Sequence, residues 1–428
     1  MNGMAATSGD YDNDGDADLF VTCIGPNHLF RNNGDTTSFT EVTAEAAVGG
    51  EDNDWSTGTT WIDYDSDGHL DLIVGHYLRW PEEFGLGAAF NFARVGRSYG
   101  TPVGFASLFP SVYRNLGDRR FNFVRDHAGL RPTDPLTGFA RAKTLAIATL
   151  DANQDGRLDL LFSFHTGNDT LYLGQTDGRF TPRISAETQR REGIAASLAA
   201  GGSLPLAPVN HADDFFPMLQ SWQLASFLTP SPATIDLASK LGLVAMDYDL
   251  DGHRDMFSSH SLVERDLALI ESDEPFPSAS QLYWRNGDTW LPATDQPVLP
   301  TTLTARGQAV ADFDGDGDLD LLVGQNQGAA RLFRNDLRAG HPWLRLSLIA
   351  TRTHASATGT KVELHTLRHV TVRTYGPQLG YLAQSDSALT FGLGEDTRIR
   401  RLVIQWPSGQ RQELRGIDIN QHLTIEEP

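Results

Sequence analysis

The sequence predicts an all-β fold built from repeats of four short strands, and three observations carry that prediction. First, one nine-residue Asp-rich pattern recurs five times, as DYDNDGDAD from Asp10, DYDSDGHLD from Asp63, DANQDGRLD from Asp151, DYDLDGHRD from Asp247 and DFDGDGDLD from Asp312. Second, short apolar runs flank the pattern, with TTWI, LAIATL, GLVAM and QAVA before it and LFVT, LIVG, LLFSF, MFSS and LLVG after it. Third, an aromatic or apolar run ending in Asn or Gly echoes later in each unit, as in HLFRNNG, SVYRNLGDRRF, TLYLGQTDGRF, QLYWRNGDTW and RLFRND. It reads as a third strand turning into a fourth. Four short strands per repeat describe a β-propeller blade. Five blades are visible, and the long gaps leave room for up to seven.

The Asp pattern has the chemistry of a hard-cation site. Acids at alternate positions of a tight turn converge on one point and repel one another unless a cation holds them, and oxygen-only ligands suit Ca²⁺. The candidate ligands are Asp10, Asp12, Asp14, Asp16 and Asp18; Asp63, Asp65, Asp67, His69 and Asp71; Asp151, Asn153, Asp155, Arg157 and Asp159; Asp247, Asp249, Asp251, His253 and Asp255; and Asp312, Asp314, Asp316, Asp318 and Asp320. The seventh position would contribute its backbone carbonyl. The pattern is not an EF-hand, because its twelfth position, Val323 in the last loop, lies in an apolar run rather than supplying a bidentate Glu. The expectation is about five structural Ca²⁺ ions, one per loop. The third site should be weakest, since Asn153 replaces an acid and Arg157 adds a positive charge.

Composition narrows the function. The net charge of −21 over 428 residues argues against a nucleic-acid partner. The five loops hold 21 Asp, so five divalent ions would take −21 to −11. The single cysteine, Cys23, excludes an internal disulfide. No apolar run is long enough for a transmembrane helix, and the start MNGMAATSGDYD lacks the basic and apolar regions of a signal peptide. A cytoplasmic location is expected, or a secreted one if the chain is a mature or trimmed form. No GxSxG, HExxH, Walker-type or helix-opening GxGxxG motif is present.

Residues 1–338 form the propeller region and 339–428 a second, all-β domain without Asp loops, in which TKVEL, HVTVRTY and RRLVIQW alternate as half-buried strands. The repeats resemble the FG-GAP/VCBS repeats of α-integrin-type propellers. WLRL, GTKVEL, GYLAQSD, FGLG and the WPSG turn at Trp406 resemble the ASPIC/UnbV domain. Together the resemblances point to the cartilage acidic protein-like family and its bacterial relatives, some of which are encoded beside natural-product pathways.

If the Asp loop joins the first strand of a blade to the second, all five loops share one face. The insertions 79–110, 185–240 and 261–279 then fall on the opposite face, where binding or catalysis is expected. Five residues beyond the last Asp of each loop stand Cys23, His76, Phe164 (with His165 next), His260 and Gln325. A ring of His76, His165 and His260 would supply acid–base groups or ligands for a second metal, or each His would simply close a strand. Candidate catalytic residues are therefore His76, His165, His260 and, from the 185–240 insertion, His211, Asp213 and Asp214. Arg79, Trp80, Phe215, Phe216 and Trp222 are candidate contacts for a small apolar or polycyclic substrate. DLASKLG, ending at Gly242, reads as a short helical turn. The expected function is an enzyme of natural-product metabolism, a cyclase, isomerase or hydrolase using carboxylate and His groups. The alternative is a non-catalytic, calcium-dependent binding or adhesion module for a protein or glycan.

Overall fold

In a computed structural model the described residues among the first 336 form five antiparallel sheets of three or four strands, each one blade of a propeller-like array, and a small hairpin of Asn91–Phe92 with Gly96–Arg97. The structure describes residues 2–428 apart from 36–37, 81–90, 93–95, 98–104, 132–139, 141–142, 154, 166–169, 184–239, 261–279, 287–288, 294–302, 327, 337–339, 352–356, 377–378 and 381–382. Blade one pairs Gly3–Gly9, Asp18–Cys23, His28–Asn32 and Phe39–Glu41 in chain order. Blade two uses Asp54–Ile62, Asp71–Arg79, Ser111–Asn115 and Phe121–Phe123; blade three uses Thr144–Leu150, Asp159–Phe164, Thr170–Gly174 and Phe180–Pro182. Blade four uses Lys240–Met246, Asp255–His260, Gln281–Asn286 and Thr289–Pro292, and blade five the three strands Ala305–Ala311, Asp320–Gln325 and Arg331–Phe333. Of the expected helical turn, residues 240–242 lie in strand, with Lys240 and Gly242 paired with His260 and Ser259, and residues 236–239 lie outside the described residues.

In every blade the Asp loop joins the first strand to the second, so the loops share one face. The last Asp of each loop opens the second strand opposite the residue that closes the first, as in Gly9↔Asp18 and Ile62↔Asp71. First strands of successive blades pack on one another and bury their alternating apolar residues between sheets. Tyr11, Phe20, Trp61 and Phe121 fill the space between blades one and two, and Ile62, Ile147, Phe162 and Tyr172 that between two and three. Gly58 is required in such packing, because a Cβ there would lie 3.0 Å from the Ala146 backbone.

The C-terminal domain is a sandwich of two sheets. Leu389–Gly392, Trp343–Ile349 and Gln421–Glu426 form one; Val370–Thr374, Lys361–His365, Arg401–Gln405 and Arg411–Leu414 form the other. Leu346, Val362, Leu364, Phe391, Ile404 and Trp406 are buried between them.

This domain sits on the face that carries the Asp loops. Gly394 N–H donates to Leu250 O at 3.0 Å, Gly392 N–H to the Asp247 carboxylate at 3.3 Å, and His341 Nδ1 lies 2.8 Å from Asp249 O. From the same domain, the short paired segments Leu379–Gly380 and Ala383–Gln384 reach the hub of the array. They pack against the first strands of all five blades. Ser385 and Asp386 bracket Val310 of blade five, whose N–H donates to Ser385 Oγ and whose carbonyl accepts from Asp386 N–H.

Docking is close enough to be tested at one residue. A Cβ on Gly392 would lie 2.4 Å from the Leu250 backbone, which a strand on each side prevents from yielding. Gly392→Val is expected to loosen the domain from blade four, seen as a larger radius in small-angle scattering and a stability loss of about 1–3 kcal/mol. An unchanged radius and melting curve would contradict the docked arrangement.

Candidate metal centres and the opposite face

The five Asp loops share one scaffold. The first Asp accepts backbone N–H groups from the far side of the turn: Asp10 from Asp14 and Gly15, Asp63 from Asp67 and Gly68, Asp151 from Asp155 and Gly156. Gly15, Gly68, Gly156, Gly252 and Gly317 all adopt positive φ at the sixth position, the left-handed conformation that favours glycine. The ninth residue, always Asp, uses both carboxylate oxygens as a staple. One accepts the N–H of the loop's second residue and the other an N–H at the end of the third strand. Asp71 thus holds Tyr64 and Asn115, Asp255 holds Tyr248 and Arg285, and Asp320 holds Phe313 and Asn335.

Four of the loops bring three carboxylates to one point. In Asp10, Asp12 and Asp18; Asp63, Asp65 and Asp71; Asp247, Asp249 and Asp251; and Asp312, Asp314 and Asp316, one oxygen from each acid lies within 4.8 Å of the others. Burial, with neighbouring acids adding to it, pushes the Asp10 and Asp247 carboxyls up to about 7. Burial first, and then Asp316, pushes Asp318 up to about 8. Asp12 Oδ1, Asp65 Oδ1, Asp247 Oδ1 and Asp318 Oδ1 are buried without a hydrogen-bond donor. Arginines answer part of this charge, Arg119 at 3.0 Å from Asp12, Arg114 at 2.6 Å from Asp65 and 3.0 Å from Asp67, and Arg334 at 3.7 Å from Asp314, but each loop still gathers three carboxylates, so these four loops fit a hard divalent cation.

The third loop differs. Asn153 Nδ2 donates to Asp155 Oδ2 at 2.7 Å, and the Arg157 guanidinium pairs with that carboxylate while its Nε donates to Gly174 O at 2.9 Å. Further positive charge comes from outside the loop. Arg373 of the C-terminal domain is buried, donates to Gly252 O at 3.1 Å and faces Asp247 and Asp151. Arg254 is also buried beside these acids. Lys361 Nζ lies 2.7 Å from where a Gly156 Cβ would sit. A polar cavity of about 30 Å³, room for a water, lies among Asp151, Arg254, Arg373 and Tyr375. Arginines stand beside the first, second and fifth loops too, and Arg254 and Arg373 face the fourth loop's Asp247 as well as Asp151, so what sets the third loop apart is that, among the described residues, it gathers no three-acid set.

At the opposite ends of the strands, the histidines are built into separate networks. His76 is buried, with Nδ1 3.2 Å from Ser56 Oγ and Nε2 2.8 Å from Ser111 Oγ. His165 stacks on Tyr77 and its Nδ1 lies 2.6 Å from the Tyr77 hydroxyl. Lys143, buried in the same blade, donates to Phe105 O and Ser107 Oγ. Burial pushes His76 and His165 down to about 4 and Lys143 down to about 8. His76 and His165 share no partner, so these two do not start a ring.

Of the expected substrate contacts, Arg79 pairs with Asp54 at 3.5 Å and Trp80 packs on Trp55 and Phe105. Cys23 is buried, and burial raises its thiol above the usual range. His211, Asp213, Asp214, Phe215, Phe216 and Trp222, and the His260 side chain, lie outside the described residues. The sequence reading missed the ninth-position staple. Its signal was present: Asp is invariant there across the five loops, and Asn closes the third strand at Asn32, Asn115 and Asn335.

With this geometry in hand, two family matches define the class of protein. Residues 10–74 and 247–323 match the FG-GAP-like repeat, and residues 350–428 match the family described as ASPIC and UnbV. The repeat matches span loops one, two, four and five and pass over the third. The chain is an FG-GAP-repeat protein with a C-terminal ASPIC and UnbV domain.

Among particular proteins it is similar to cartilage acidic protein 1. It is 35% identical to the Xenopus tropicalis protein over 333 residues, which cover 74% of this chain and 41% of that one. It is 26% identical to the Mus musculus protein over 275 residues, covering 62% and 34% respectively. The chain thus spans about two fifths or less of the length of the curated relatives it matches. A solved Agrocybe aegerita protein that recognises non-reducing terminal N-acetylglucosamine is 18% identical, with a TM-score of 0.34, covering 78% of this chain and 66% of that one. The exotype rhamnogalacturonan lyase YesX is 13% identical with a TM-score of 0.36, covering 99% and 73%. At these scores the structural likenesses carry no functional weight.

The buried histidines make a pH prediction. His76 and His165 have folded-state values near 4, below the unfolded value near 6.5. Their contribution is present above pH 6.5 and is lost as pH falls towards 4, because only the unfolded chain takes up the protons. The raised carboxyls of the Asp loops act in the opposite sense, so the histidine contribution is read by comparison: on going from pH 7 to pH 5 in denaturant unfolding, His76→Gln is expected to gain stability relative to wild type.

Proposed function

We propose that four Asp loops, the first, second, fourth and fifth, hold calcium, and that the chain acts as a calcium-stiffened propeller presenting its opposite face to a protein or glycan ligand. The observation that carries this reading is the three-carboxylate set found in four of the five loops and absent from the third, with a buried, donor-free carboxylate oxygen in each of those four loops. Each ion would relieve the repulsion within its loop and hold the first and second strands of a blade together, while the ninth Asp ties in the third. The C-terminal domain covers this metal-bearing face. Binding is then left to the face where the insertions leave the strands, and a rigid scaffold holding long loops suits recognition.

Calcium titration of chelator-treated protein is expected to saturate at four equivalents. A site saturated a hundredfold above its Kd adds about 2.7 kcal/mol, so chelation should lower Tm by about 10 °C or more. Asp65→Asn should remove one equivalent, and Asp155→Asn should leave the number unchanged. A melting curve indifferent to excess chelator would overturn this reading.

A second reading is favoured by one observation, the Tyr77–His165 pair beside a lysine whose pKa is pushed down to about 8. A neutral imidazole bonded to a phenol could move a proton in a cyclase, isomerase or hydrolase of specialised metabolism. Deleting the gene would then remove a metabolite that wild-type protein restores and His165→Gln does not. An unchanged metabolite profile on deletion removes the enzyme reading.

A further inference from the structure

The C-terminal domain carries a basic cleft that neither the Asp loops nor the insertion face explains. It lies at the turn between Lys361–His365 and Val370–Thr374. The other ends of these strands, at Lys361 and Arg373, approach the propeller loops, so the cleft opens away from the propeller. Its volume is about 400 Å³, within the range of small-molecule sites. His365, Arg368, His369, Arg400, Arg401 and Arg415 line it, and no acid does. The chain as a whole is −21, yet residues 339–428 hold ten Lys and Arg against eight Asp and Glu.

The cleft is built on a fixed turn. Asp396, 2% exposed, accepts from Thr366 Oγ1 and from Arg368 N–H beneath it. Thr366 and His369 close the turn through their backbones at 3.0 Å, and Arg400 N–H donates to His365 O at 2.8 Å. The positive charge is only partly answered. Glu413 holds Arg415 through two nitrogens at 2.8 and 2.7 Å and lies 3.8 Å from Arg401, Arg368 pairs with Glu395 and lies 3.9 Å from Asp396, and Glu363 lies 3.3 Å from His365; among the described residues Arg400 has no acidic partner within 4.0 Å. Leu367 and Val370, each 52% exposed, add apolar surface at the rim.

We propose that this cleft binds a small organic oxyanion, a sulfate or phosphate monoester carried on a body the size of a mono- or disaccharide. Guanidinium forks suit the oxyanion, with Arg400 and Arg415 as the principal contacts. Leu367 and Val370 offer an apolar edge to the organic body, which a bare ion would not use. A long polyanion is disfavoured, because the acidic remainder of the chain would repel everything that extends beyond the cleft.

The test is calorimetric titration of the full chain with four probes: a monosulfated disaccharide, its neutral parent, inorganic sulfate, and vesicles of phosphatidylcholine with phosphatidylserine. The expected result is saturable binding of the sulfated disaccharide only, weakened about tenfold by Arg400→Gln and by Arg415→Gln and partly restored by Arg400→Lys. Both arginines are exposed, so the variants should melt like wild type, and a lost fold would show in that control. Binding of inorganic sulfate as tightly as of the sulfated disaccharide would mean an adventitious ion only and overturn the proposal. Binding to vesicles alone would overturn it in favour of a lipid surface. No binding to any probe, or binding insensitive to both variants, would also overturn it. The result is independent of calcium in the Asp loops, because the cleft and those loops share no residue.

Discussion

The constraint on which this structure rests is the mutual repulsion of carboxylates held within a nine-residue turn. Three acids with oxygens within 4.8 Å of one another are stable only if something positive or hydrogen-bonding answers them. The chain answers part of the demand itself. The first Asp of a loop takes N–H groups from the turn, and the ninth takes one from the loop and one from the third strand. What remains is a small set of buried oxygens with no donor, and that remainder is the physical signature of a cation site. The third loop does not gather three acids: Asn153 stands at its third position and Arg157 pairs with Asp155 within the loop.

The two domains meet across these loops. Arg373 enters from the C-terminal sandwich between Asp247 and Asp151, and Gly392 lays its backbone on the fourth loop. The covered face of the propeller is therefore the charged one, whereas open propeller faces are usual sites for ligands. Segments 379–380 and 383–384 occupy the hub and touch every blade. The ASPIC and UnbV domain is thus part of the propeller's construction rather than a separate module beside it.

Much of this was legible in the sequence. Five Asp patterns with apolar runs on either side gave the blade order and the strand polarity. The different makeup of the third loop was readable from Asn153 and Arg157. The remainder depends on long-range packing that no local pattern encodes. Nothing in GYLAQSD marks it as a hub segment, because its role comes from the shape of the cavity left by five first strands. The His76 and His165 networks illustrate the same limit. Equal sequence offsets put both at strand ends, but the side chains that surround them, Ser56 and Ser111 for one and Tyr77 for the other, come from different strands. The basic cleft was hidden for a related reason: Arg368, Arg400 and Arg415 are brought together by two hairpins.

The central claim is that four carboxylate clusters are cation sites and that the third loop, which gathers no three-acid set, is not one. Long-wavelength anomalous diffraction from crystals grown in calcium tests it most directly. The account predicts anomalous peaks within the loops that begin at Asp10, Asp63, Asp247 and Asp312, and none at the loop that begins at Asp151. A peak beside Asp151 and Asp155, or no peak at the other four, would contradict it.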